Sequence, residues 1–589
     1  MALVVAGSRA GLVVVVAEKI PRRHRFSSGM TTPMTAVTEL ADEVLALLHD
    51  EDPLAASLLG FQEYDHRLPD LSAQAALARK ARAEDIARRA AAPPGGLDGQ
   101  DAVTRAVVVQ QAHALAARVD AGLVEHTVAF TLTAPAGALL HSLPLVRPRG
   151  DDAERAYLAR LAAIPGYLAD AAQRHCAGIA AGRVPLAYLG RAAVSALDRY
   201  LAVPDRDPLR EPVLSGARAA ERDRVLADVV RPAFARYRDV IDTEVVPRGR
   251  PPEKPGLCWL PDGQVVYAAL SRAHTTTERT PDDLHRTGLE LIEGLADEYV
   301  EVGSRAFGAR TVGEVHDRLR TDPAMRWRGP QEVLAVARDA VERAERAAPG
   351  WFRRVPAGRC AVEPVPDSEA PRVTAYYVRP ALDGSRPGTY FANTYRAEER
   401  DRFTAEAVAF HEAVPGHHFQ LALAQEVRGL PALRRLAGIT AHVEGWALCA
   451  ERLAEEMGLY SDDIARLGLL AEDSARAARL VVDTGLHARG WSRQRAVDFL
   501  RTHTLLSEVD IQTEADRYIE WPGQALSYMV GRLKIQRLRS LAEHELGSGF
   551  DLGAFHDLVL TNGPLPMTAL AELVENWVHG TRAPDPRPV

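Results

Sequence analysis

HEAVPGHH, residues 411–418, decides how this chain is read. The common zinc-hydrolase motif is His-Glu-x-x-His, with two His at i and i+4 on one helical face. Here position i+4 is Pro415, and the next histidines are His417 and His418. A regular helix would carry His417 about 9 Å further along the axis than His411, and well round the cylinder. Zinc–imidazole bonds of about 2.0–2.1 Å cannot span that separation. Pro415 removes a backbone hydrogen bond and clashes with the carbonyl four residues back, that of His411. Gly416 tolerates backbone angles closed to other residues. The motif therefore predicts a helix that bulges at Pro415-Gly416 and returns a later histidine to His411.

The flanking text supports a helix on each side. In RFTAEAVAFHEAV, Phe403, Ala407, Phe410 and Val414 recur at helical spacing, with His411 at the edge of that face. Glu412 follows directly, where a general base beside a ligand belongs. HHFQLALAQEV resumes the helical pattern until the stop signal Gly429-Leu430-Pro431.

A catalytic zinc site needs a third protein ligand. HVEGWALCAERLAEEMG, residues 442–458, is an amphipathic helix with Val443, Trp446, Ala450 and Leu453 on its apolar face. Its acids read most simply as a solvated stripe. Glu444 stands apart through its Gly-Trp neighbours and its place one helix after the histidines, and is the candidate third ligand. Further on, RYIEWPGQALSYMVGRLKI places Gln524, Tyr528 and Arg532 at i, i+4 and i+8. Tyr528 suits an oxyanion donor. Arg532, with Arg517 of the same segment, suits a substrate carboxylate. Asp483 and His487 lie one turn apart. They read either as support or proton donor for the site or, more simply, as a helical surface pair.

Bulk properties narrow the class. At 589 residues the chain exceeds one typical domain, so more than one lobe is expected. Net charge is −8 with both signs dispersed, which argues against nucleic acid as partner. Four scattered cysteines without a Cys-x-x-Cys pair point to a reducing compartment and away from a cysteine-based zinc site. GLVVVVA, residues 11–17, is too short to span a membrane, and its positive charges follow it, unlike a signal peptide. Residues 1–33 read as a disordered extension, with Met30 or Met34 a natural start, and a cytoplasmic location is the expectation.

Apolar residues at spacings of three and four make the chain mainly α. Residues 34–245 read as an N-terminal helical lobe and 246–582 as a catalytic region, with 583–589 a tail. VVPRGRPPEKPGLCWLPDG is the loop-rich crossing between them. Thr280, Pro281, Asp282 and Asp283 make a helix start. Strands are expected only within 360–395, in RVTAYYVRP and GTYFANTY.

HEAVPGHHFQ, EGWALCAE and RY…PGQALSY, in that order, resemble the bacterial family called domain of unknown function 885. The likeness extends through AASLLGFQEYDHRLPDLS, YAALSRAHTTTERTPDDLHRTGL and RPGTYFANTY, nearly the whole chain from about residue 40. That resemblance implies a two-lobed helical zincin-like metallopeptidase (gluzincin) fold, similar in outline to angiotensin-converting-enzyme and oligopeptidase types, with a small β-sheet at the cleft. It implies zinc held by His411, Glu444 and one of His417 and His418, with Glu412 as base. Relatives often carry Gly just before the second ligand, which favours His417. Leu448 stands four residues after Glu444, where many zincins place an Asp behind a zinc histidine. Glu406, Glu451 and Asp483 are the candidates for that supporting role.

The expected activity is zinc-dependent amide hydrolysis of short peptides, with Tyr528 stabilising the oxyanion. Tyr390 and Asn393 of GTYFANTY are candidate substrate contacts, with the strand's free edge pairing to an extended peptide. Alternatives are a zinc enzyme for a small non-peptide amide, an ester or a biosynthetic intermediate, and a binding protein with a vestigial site.

Overall fold

The computed structural model describes residues 35–91, 97, 99–366, 370, 374–380 and 386–581. The extension at 1–33 and the tail at 583–589 lie outside the described residues. The fold is mainly helical, with one three-stranded sheet among the described residues. No helix among them is long and apolar enough to cross a membrane.

Local signals act where the sequence places them. Thr280 caps the long helix Pro281–Phe307 by accepting from the Asp283 amide at 3.2 Å, with Pro281 in its first turn. That helix ends at Gly308, whose φ of 69° is the left-handed conformation glycine reaches without strain. It packs lengthwise against Asp463–His487.

Two large apolar clusters build the interior. One joins the helices Ala36–Glu51, Ala73–Ala91 and Gly99–Ala121 to the sheet, the HEAVPGHH region and the C-terminal helices. The other joins residues between 128 and 245 to one face of Asp463–His487 and to Glu508–Glu520. Both clusters draw on chain from each side of residue 245.

The sheet comprises β1 (Ala361–Pro364), β2 (Ala375–Val378) and β3 (Thr389–Ala392), in the order β1-β3-β2. β3 runs parallel to β1 and antiparallel to β2, with Tyr377 opposite Tyr390. Strand alternation sends Val362, Tyr377, Tyr390 and Ala392 into the large core, while Tyr376 and Val378 pack on the other side. GTYFANTY is thus the central strand. Both its edges are hydrogen-bonded, so it has no free edge for a peptide, contrary to the reading above. The outer edges belong to β1 and β2.

Helices Thr440–Glu456 and Ser527–Leu546 cross almost backbone to backbone. A Cβ on Gly531 would overlap the Ala441 carbonyl oxygen, and one on Gly445 would fall 2.5 Å from the Gly531 carbonyl carbon. Backbone cannot swing aside as a side chain can. Gly531→Ala is expected to destabilise the protein by about 1–3 kcal/mol, read from denaturant unfolding; an unchanged midpoint would show that the crossing has slack.

Candidate metal centre

The helix that carries His411 and Glu412 spans Ala405–Glu412 and then stops. Residues 413–416 form a turn with a cis Val414–Pro415 bond, and a new helix, His417–Glu426, begins at once. This is a complete break rather than a bulge within one helix. Pro415 has no N–H to continue the ladder, and Ala413 and Gly416 take backbone angles outside the helical region. A Cβ on Gly416 would overlap the carbonyl oxygens of Phe410 and His411. Trp446 holds the turn from outside, its indole N–H donating to the Pro415 carbonyl at 2.9 Å.

The break returns His417 to His411. Their ring centroids are 4.8 Å apart and nearly perpendicular. Glu444 Oε2 lies 3.5 Å from His411 Nε2 and 3.8 Å from His417 Nε2, too far for regular hydrogen bonds. One ligand atom from each of the three lies within 4.8 Å of the others, and all three side chains are fully buried, so together they can hold a metal ion.

The electrostatics suit that set. Burial lowers both imidazoles below the usual histidine range, His417 further, with His411 and Arg379 adding to its shift. Both are therefore neutral, as ligands must be. Burial, then the Glu444 charge, pushes the Glu412 carboxyl well above the usual carboxylate range. Burial, then the Glu444 charge, likewise raises the Tyr528 hydroxyl. His411 Nε2, both ring nitrogens of His417, both oxygens of Glu412 and of Glu444, and the Tyr528 hydroxyl are all buried without a regular hydrogen bond.

The structure separates the remaining candidates. His418 points away, with Nδ1 at 2.9 Å from the Tyr377 hydroxyl and Nε2 at 2.9 Å from the Gly358 carbonyl. Of the three acids considered for support, Glu451 reaches His411, at 2.7 Å from Nδ1. That bond commits Nδ1 and turns Nε2 toward Glu444. Burial pushes the Glu451 carboxyl up to about 8, and Arg476, 3.9 Å away, opposes the shift. Glu406 instead binds Arg343 at 2.8 Å and the Ser461 amide at 2.9 Å. Asp483 accepts from the Tyr267 hydroxyl at 2.5 Å and the Gly523 amide at 3.1 Å. His487 contacts the Tyr518 carbonyl at 2.9 Å and takes the Leu257 amide at 3.1 Å. Asp483 and His487 are thus fully buried structural groups, neither a surface pair nor part of the cluster.

The expected substrate contacts are mostly engaged elsewhere. Arg532 donates to Asp473 and to Gln536. Arg517 pairs with Glu514 at 2.9 Å and holds Gln524 at 2.8 Å. The Asn393 amide donates to the Ala370 carbonyl, and its oxygen accepts from the Tyr395 amide. Tyr390 is buried in β3, and burial, then the Glu412 charge, raises its hydroxyl. The sequence reading missed Trp446 as a holder of the turn, and it missed Arg476 and Arg479, both buried on Asp463–His487. Arg479 lies 4.5 Å over the Tyr528 ring and pairs with Glu514 at 3.0 Å. Two arginines within the otherwise small and apolar run ARAARLVV were the available signal.

Fold and site together define a mainly helical protein with a buried His-His-Glu cluster beside a small sheet. The chain belongs to the family described as bacterial protein of unknown function, DUF885, whose pattern spans residues 53–574. It is similar to the crystal structure of a candidate lipoprotein from Colwellia psychrerythraea, at 26% identity and a TM-score of 0.84, covering 93% of this chain and 100% of that one. A candidate lipoprotein of unknown function from Shewanella oneidensis shares the fold at 16% identity and a TM-score of 0.72, covering 92% and 100%. No curated protein matches the chain.

Burial raises the Asp483 carboxyl from 3.8 to about 7, although Tyr267 and Gly523 pull it down. The unfolded chain releases this proton near 3.8 and the folded one near 7, so Asp483 lowers stability as pH rises between those values. Asp483→Asn is expected to remove that component, by at most about 1.4 kcal/mol per pH unit. Urea unfolding of both proteins across this range measures it, and parallel stability curves would overturn the assignment.

Proposed function

We propose that this protein is a zinc-dependent amide hydrolase, a metallopeptidase of the zincin class acting on short peptides. The observation that carries the reading is the group of unsatisfied polar atoms at His411, Glu412, His417, Glu444 and Tyr528. Leaving a buried polar atom unpaired costs about 1–3 kcal/mol, so a cluster of them implies a ligand. Two neutral imidazoles and one carboxylate converging on a point fit a three-ligand catalytic zinc site. Zinc held there supplies Lewis acidity, polarising a carbonyl and acidifying water.

The chain's own groups do the rest. Glu412 adjoins the ligand His411 and neither of its oxygens makes a regular hydrogen bond, so it takes the proton of the attacking water and passes it to the leaving nitrogen. Tyr528 donates to the developing oxyanion beside Glu444. Glu451 keeps the His411 ring in place. An extended substrate pairs with the outer edge of β2, whose Tyr377 amide lies close to Glu412.

The cytoplasmic expectation is kept as part of this reading, supported by four free thiols. The lipoprotein description belongs to the two similar structures, and a lipid-anchored location is the rival that cell fractionation decides.

Metal analysis of the purified protein is expected to find one zinc per chain. His411→Ala, His417→Ala and Glu444→Ala are expected to lose it, and His418→Ala to keep it. Glu412→Gln is expected to retain zinc and lose about 10²–10⁴-fold in turnover on a peptide library. Tyr528→Phe should retain zinc and lower kcat about 10²–10³-fold. Absence of zinc uptake, or full turnover by Glu412→Gln, overturns the reading.

A further inference from the structure

Arg479, on the helix Asp463–His487, is 2% exposed. Its guanidinium carbon lies 4.5 Å from the centre of the Tyr528 ring, over the face of that ring. Hydrogen bonds hold the guanidinium there. Nε donates to the Tyr518 hydroxyl at 3.2 Å, and Nη2 to Glu514 at 3.0 Å. Tyr518 in turn donates to Glu514 at 2.5 Å. Arg517 shares the same carboxylate, at 2.9 Å, and donates to Gln524 at 2.8 Å. Gln524 opens the short turn Gln524–Leu526 that leads directly into the Tyr528 helix. Glu514 thus anchors both the cation and the approach to the helix whose phenol the cation covers.

Tyr528 stands three residues before Gly531, on the same helical face. A Cβ on Gly531 would lie 2.8 Å from the Cα of Gly445, the neighbour of Glu444. The phenol is fully buried, and its hydroxyl makes no regular hydrogen bond. Contacts to the ring therefore orient this side chain, and Arg479 lies on one face of it. A cation over an aromatic face is attracted to the ring, most strongly where water is excluded. Its charge also favours negative charge on the phenol oxygen, against the push of burial and of Glu444. The hydroxyl becomes a stronger donor to an oxygen that is gaining negative charge.

We propose that Arg479 is a positioning residue for the oxyanion donor, its guanidinium holding the Tyr528 ring in place and polarising the hydroxyl toward a developing negative charge. This inference rests on the hydrolase reading for the role of Tyr528, and on the ring contact for the role of Arg479. It deepens that reading by dividing the oxyanion site between a group that donates and a buried cation that acts through it. Such an arrangement favours the tetrahedral state over the bound peptide, because the cation gains most once charge has formed.

The test measures binding of an oxyanion mimic. Titration calorimetry of the zinc-loaded protein uses the phosphinic analogue of N-acetyl-Ala-Ala-Ala, with a phosphinate–methylene unit in place of its last amide. N-acetyl-Ala-Ala-Ala itself, in the Glu412→Gln protein, is the ground-state control. R479Q, which keeps donors but not the charge, is expected to weaken the phosphinate about tenfold and to leave the peptide unchanged. R479K, which keeps the charge, is expected to retain most of the phosphinate affinity. In a Tyr528→Phe background R479Q is expected to have no further effect. An R479Q loss that persists without the Tyr528 hydroxyl, an equal loss for phosphinate and peptide, or no loss at all overturns the proposal. R479M takes the place of R479Q should that variant fail to fold. The unmutated protein separates the two readings. Zinc and phosphinate binding without coupling between Arg479 and Tyr528 overturns this proposal and leaves the hydrolase standing, whereas absence of zinc uptake overturns both.

Discussion

The centre of this protein is organised by the cost of holding ionisable groups away from water. Two imidazoles, two carboxylates and a phenol lie in one fully buried group, in a medium where an isolated charge is expensive. The surroundings answer with charges of their own. Arg476 approaches Glu451 and is paired with Glu472, and Arg479 spans the Tyr528 ring and Glu514. The long helix Asp463–His487 thus carries both arginines to the site and is itself buried along most of its length. The site is an arrangement of compensated charge into which unsatisfied donors and acceptors are deliberately left facing one another.

Geometry follows from the chain break at Pro415-Gly416. A continuous helix would separate His411 from His417; the break lets both rings meet within the reach of one ion. The turn is kept in place from the neighbouring helix by Trp446, two residues from Glu444. The ligand pair and the third ligand are therefore registered by one hydrogen bond between their supporting segments. The Gly-Trp pair that marks Glu444 in the sequence has a physical role on each side. Gly445 admits the Tyr528 helix, and Trp446 reaches the His turn.

Much of this was legible in the sequence. Helical periodicity, the Thr280-Pro281 start and the strand composition near 375 and 390 all carry local causes, and local causes act where they are written. The spacing conflict within HEAVPGHH pointed to a backbone departure at the right residues, although its form, two helices instead of one bulged helix, depends on long-range packing against Trp446. The choice between His417 and His418 was open because adjacent residues differ only in the direction they point, and tertiary contacts set that direction. Strand order was also beyond reach, since four-residue strands carry no record of which neighbour lies in the middle. Arg532 and Asn393 looked available in sequence because their partners, Asp473 and Ala370, are contacts made only on folding, whereas the Glu514 partner of Arg517 stands one turn earlier on the same helix.

The glycine-lined crossing of Thr440–Glu456 with Ser527–Leu546 has a mechanical consequence. With no side chains between the two backbones at Gly445 and Gly531, neither helix can slide or roll against the other without a steric collision. Glu444 and Tyr528 therefore travel as one rigid body. Any breathing motion that opens the centre must occur elsewhere, between this body and the segment carrying the two histidines or the sheet. On heating, the carboxylate and the phenol would be surrendered in a single cooperative event.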